Sequence, residues 1–84
     1  MTTNDPIYEQ QSAVDMFKQF CKEAKIGDDG DSLNKRKCLE IHHRMESIYP
    51  GMTPFIFSCF FDSVYGYSGF MCEVVEKWIT DQKK

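Results

Sequence analysis

The chain has 84 residues, 42% of them hydrophobic and 27% charged, with a formal net charge of −3. That length allows one domain over residues 1–84, and a domain of this size buries only roughly 60–65% of the surface its unfolded chain exposes. The acidic balance argues against nucleic-acid binding, where neutralisation of phosphates supplies most of the affinity. The longest apolar stretch, Phe55 to Phe61, is interrupted by Ser58 and stopped by Asp62, short of the roughly 20 residues a membrane helix needs.

The N-terminal stretch carries Asp5, Glu9 and Asp15 and no apolar run. No secretory leader is expected from it, and the chain reads as a whole small product of the cytoplasm. Residues 1–4 are expected to fray. Asn4 or Asp5 can cap a first helix, and Pro6 suits its first turn. Ala13, Val14, Phe17, Phe20, Cys21 and Ala24 then recur with helical spacing. Lys22 and Lys25 lie near the negative end of the helix dipole, and Gly27 can take the left-handed terminating position. The first helix is expected over 5–25.

Residues 27–31 (GDDGD) form a turn, and Asp31 or Ser32 can cap a second helix. Its stripe is Leu33, Cys38, Ile41, Met45 and Ile48, widened by Leu39 and Tyr49. Pro50 and Gly51 stop it. Arg36–Glu40 and Glu40–Arg44 are opposite charges four apart, which adds slight support. Lys35, Arg36 and Lys37 fall in its first turns, where the dipole disfavours cations. The three aspartates of the turn can compensate them locally, or the trio can form a basic spot for an acidic partner.

Thr53-Pro54 repeats the pattern of a cap followed by proline in the first turn. The segment Phe55 to Tyr65 (FIFSCFFDSVY) is apolar nearly all round. Periodicity alone does not separate a buried strand from a helix here; the Thr-Pro start and the tail through Val64 favour a helix. Such a helix is either the centre of the fold, contacted on all sides, or it leaves apolar surface for a partner. GYSG (66–69) ends it. A last helix is expected over 70–81, with Met71, Val74, Val75, Trp78 and Ile79 inward, and residues 82–84 frayed. The fold class expected is all-α, a bundle of three or four short helices.

Four cysteines, Cys21, Cys38, Cys59 and Cys72, are scattered among the apolar stripes. Disulfide-rich domains are usually secreted and loop-rich, so free buried thiols in a reducing compartment are expected. Cys38 and His42 are four apart and form a workable half of a zinc site. Two further ligands would have to come singly from other helices, so an ordinary core cysteine beside a surface histidine is the preferred reading. A calcium loop starting at Asp29 fails, because its sixth position is Asn34 where glycine is required. The scattered glycines match no nucleotide-binding fingerprint. A Cys38–His42 nucleophile pair lacks a glycine-rich turn and an oxyanion site. No enzyme activity, cofactor or metal is expected.

The composition and pattern suggest a small non-catalytic protein-interaction module, a regulator, inhibitor or adaptor. Its contact residues are expected on the third helix and the following loop, at Phe57, Phe61, Tyr65 and Tyr67, with Lys35, Arg36 and Lys37 as a charged rim. Tyrosine at a loop tip suits an interface. Two alternatives are a structural homo-oligomer that pairs the same surface with itself and a metal-supported helical domain. The expected partner is another protein or a second copy; a membrane and nucleic acid are not expected.

Overall fold

The computed structural model describes residues 7–27 and 32–82. The 3-10 turn Ile7–Glu9 precedes four helices, α1 (Gln11–Glu23), α2 (Lys35–Ile48), α3 (Pro54–Tyr65) and α4 (Gly69–Gln82). The all-α bundle expected from the sequence is the fold observed. No helix among the described residues is long and apolar enough to cross a membrane.

The first expected helix is split. Gln10 is extended and breaks the chain direction, and its N–H donates to the Ile7 carbonyl at 3.1 Å. The break lets Ile7 and Tyr8 fold back onto the core, where the 3-10 turn packs on α1 and α3. The caps at Asn4 and Asp5 lie outside the described residues. Within α1, Ala13, Phe17, Phe20 and Cys21 are buried, the i, i+4, i+7, i+8 set of one helix face.

α1 ends two residues earlier than Gly27 would place it. The N–H of Lys25 donates to the Lys22 carbonyl at 3.0 Å and that of Ile26 to the Cys21 carbonyl at 3.1 Å. This paired pattern closes a helix through one left-handed residue, usually glycine. Here that residue is Lys25, at φ +64. Ile26, just beyond it, is buried.

α2 starts later than expected because Asn34 is its cap: the Asn34 side chain accepts from the Lys37 N–H at 2.9 Å. Asp31 lies outside the described residues, and Ser32 and Leu33 precede the helix. Cys38, Ile41, His42 and Met45 are buried. Ile48, expected in the inward stripe, is 45% exposed. Arg44 turns toward α1 rather than along its own helix. Its guanidinium pairs with Glu23 at 2.7 Å and lies 4.1 Å from the centre of the Phe20 ring.

α3 begins and ends where the sequence places it. Thr53 accepts from the Ile56 N–H at 3.1 Å, Pro54 opens the first turn, and Gly66 takes the left-handed closing position at φ +68. Ser68 caps α4 by accepting from the Met71 N–H at 3.3 Å. α4 extends through Gln82, into the tail expected to fray.

The helices close a ring: α1 packs on α2, α2 on α4, α4 on α3 and α3 on α1. Phenylalanines fill the middle. Phe17 of α1 meets Phe57, Phe60 and Phe61 of α3 with ring centres 5.9, 5.1 and 4.9 Å apart. The edge-on and offset arrangements suit the ring quadrupoles, and each pair adds roughly 0.5–1.5 kcal/mol beyond its buried area.

Candidate interaction surface

Phe57 and Phe61 were expected to face a partner, and their burial corrects that expectation. Both are completely buried. Their rings are 5.3 Å apart, edge to face, and both touch Phe17. The side of α3 that carries them is enclosed because α1 and α4 flank it and the 3-10 turn covers a further side. Their side chains belong to the core and are not contact groups.

Tyr65 and Tyr67 are half-buried, and both rings stack on Phe61, at 6.0 and 5.2 Å. The Tyr65 hydroxyl also hydrogen-bonds the Cys21 thiol. These tyrosines seal the core at the C-terminal end of α3 and present only part of each ring to solvent. Lys35 and Arg36 are exposed, whereas Lys37 is half-buried and its Nζ reaches back to the Ser32 carbonyl at 3.3 Å. All three stand on α2, which packs mainly on α1 and α4. The rim and the tyrosines therefore do not share a helix face.

His42 was expected at the surface and is only 5% exposed. Its Nε2 donates to the Met52 carbonyl at 3.0 Å, and its ring lies edge-on to Phe57 at 5.0 Å. Cys38 is fully buried beside Cys21. Burial pushes the Cys38 thiol up to about 12 and the Cys21 thiol up to about 11. No three His, Cys, Asp or Glu side chains among the described residues converge on a point that could hold a metal ion.

Cys59 and Cys72 are half-buried, on α3 and α4. Cys72 Sγ donates to the Ser58 carbonyl at 3.7 Å, and the Tyr8 hydroxyl donates to the Cys59 thiol. Burial, then the carboxylates of Asp62 and Glu76, hold both thiols above the ordinary range. None of the four cysteines thus has the electropositive surroundings that generate a reactive thiolate near neutral pH.

Among the described residues, the large apolar side chains that face solvent are Phe70, Phe55 and Ile48, at 72%, 61% and 45% exposure. Phe70 sits in the first turn of α4, directly after the aromatic loop. Met71 and Val74 beside it are half-buried and stand outside the core cluster. Positions 70 and 74 lie one helical turn apart on the same side, with 71 adjoining. Periodicity groups Phe70 with Val74, which the sequence places inward, so its exposure follows from the packing of α4 and not from its spacing.

A groove of about 430 Å³ runs between α1 and the end of α3, lined by Lys18, Lys22, Ile26, Val64 and Tyr65. It continues past Lys18 and Val64 into a depression of about 360 Å³ beside Tyr8 and Ser63. Comparison with known protein families, with curated proteins and with solved structures gives no match for the chain.

Proposed function

We propose that this chain is a non-catalytic protein-interaction module, a regulator, inhibitor or adaptor that acts by docking on another protein. The surface centres on the turn from α3 to α4, with Phe70 as its anchor. The observation that carries this reading is the 72% exposure of Phe70 next to Met71 and Val74, which the core does not absorb. Seating one such ring against an apolar partner surface gains roughly 1.5–3 kcal/mol, enough for a central contact residue. Tyr67 adds a partly exposed ring on the preceding loop. A cytoplasmic setting fits this reading, since all four thiols are free.

The test is photo-cross-linking from position 70 in an extract of the source cell, with position 12 on the exposed side of α1 as control. A discrete adduct with another protein from position 70, absent from position 12 and lost on competition by the unlabelled chain but not by a Phe70→Asp chain, supports the proposal. Identical adducts from both positions sink it. An adduct of twice the chain mass would instead favour pairing of the chain with itself.

A further inference from the structure

Lys18, Lys22 and Lys25 recur at i, i+4 and i+7 along the C-terminal half of α1 and the residue that closes it. All three are exposed, and among the described residues no carboxylate pairs with them. Arg44, by contrast, has Glu23 for a partner. Lys18 and Lys22 form the rim of the α1–α3 groove, and Ile26, Val64 and Tyr65 form its floor. Ile26 is only 8% exposed, so the floor is a continuation of the core. Lys25 extends the row of cations beyond the groove from a left-handed backbone that glycine would adopt with less strain. Strain of this kind is retained where the surrounding structure or function requires the residue.

We infer that this groove docks an acidic segment of a partner protein, with carboxylates over Lys18, Lys22 and Lys25 and one apolar side chain on Ile26 and Val64. The inference rests on the reading of the chain as a protein-binding module and names the chemistry of its partner. Charge complementarity selects the occupant. Lys18, Lys22 and Lys25 have no carboxylate partner among the described residues, so in a chain of net charge −3 this row offers cations to a partner's carboxylates. The axial spacing of Lys18 and Lys22 is about 6 Å, matching carboxylates four apart on a helix or two apart on an extended strand. The groove has room for an apolar side chain against Ile26 and Val64, which a phosphodiester backbone does not supply. Glu9 lines the adjoining depression and disfavours an acidic segment there, which leaves it the groove rimmed by Lys18 and Lys22.

The experiment is an amide-resolved NMR titration of the full chain. The probes are a short peptide of glutamate and alanine with one leucine and its counterpart with lysine for glutamate. The acidic peptide should shift Lys18, Lys22, Ile26, Val64 and Tyr65, and the basic one should not. Lys18→Glu with Lys22→Glu should weaken binding about tenfold or more, as should high salt. Lys18→Gln with Lys22→Gln, checked for unchanged helix content, guards against a folding defect. Unmoved groove residues, or equal binding by the charge-reversed chain, overturn the inference. Shifts at these residues on concentrating the chain alone would assign the groove to a second copy and overturn it. So would binding to phosphatidylserine vesicles without any response to the peptide. Cross-linking from position 70 in the Lys18→Glu, Lys22→Glu chain separates the two proposals. If the peptide fails while that adduct persists, only the groove assignment falls; loss of the adduct in every chain removes the interaction reading itself.

Discussion

The Nε2 of His42, on α2, lies 3.0 Å from the carbonyl oxygen of Met52, in the link between α2 and α3. Both residues are buried. The bond satisfies a backbone acceptor that has left one helix and not yet entered the next, and it fixes the link across the ring of helices. His42→Ala removes the donor and leaves a gap beside Phe57. The expected loss is about 2–4 kcal/mol, or a fall in Tm on the order of 10–25 °C for a domain of this size. Thermal unfolding followed by circular dichroism measures it. A change of only a few degrees would mean that His42 does not hold the link.

The phenylalanines divide into two classes with opposite expectations. Phe61→Ala should cost about 3–5 kcal/mol, since the ring is fully buried among Phe17, Phe57 and the two tyrosines. Phe70→Ser should change stability by no more than about 0.5 kcal/mol. Urea denaturation of both variants decides. Equal losses would place Phe70 in the core and remove the anchor from the proposed surface.

The elements were largely legible in the sequence because their signals are local. Thr53-Pro54 and Gly66 each act through hydrogen bonds within one turn, so the bounds of α3 could be read directly. What could not be read depends on distant neighbours. The break at Gln10 exists because Ile7 and Tyr8 gain contacts with α3, some fifty residues away in the chain. Ser32 and Asn34 are both competent caps by residue type, and it is the Asn34 side chain that accepts from the Lys37 N–H. The apolar excess of α3 was visible, but its cover is supplied by the 3-10 turn together with α1 and α4. Phe57 and Phe61 therefore carry no surface, and the exposed rings fall at Phe55, in the first turn of α3, and at Phe70.

Lys25 gives a prediction with the opposite sign. Its φ of +64 places Cβ close to the following carbonyl, at a cost of roughly 1–2 kcal/mol. Glycine relieves that cost but gives back part of it through the greater freedom of the unfolded chain. Lys25→Gly should stabilise the fold by about 0.5–1 kcal/mol, and Lys25→Ala should gain nothing. Both are read from urea midpoints at unchanged slope. A destabilised glycine variant would show that α1 does not close through this residue.

The buried thiols set the behaviour at alkaline pH. Cys21 and Cys38 are held at about 11 and about 12 in the fold, whereas unfolding returns them to the ordinary thiol range of roughly 8.5. Below that range both states keep their protons and the full stability is present. As pH rises above it, the unfolded chain releases protons that the folded chain retains. Stability then falls, by up to about 1.4 kcal/mol per pH unit for each thiol, until the folded thiols themselves ionise. The expected profile is flat near neutrality and declines from about pH 9. Replacing Cys21 and Cys38 by alanine lowers the plateau through lost packing but should flatten the alkaline limb. An alkaline limb of the same steepness in that variant would assign it to lysine and tyrosine titration instead. A thiol reagent offers a second reading of the same burial. At pH 8 the folded chain should react at Cys59 and Cys72, and at Cys21 and Cys38 only after unfolding, because the raised pKa and the complete burial of these two thiols oppose attack.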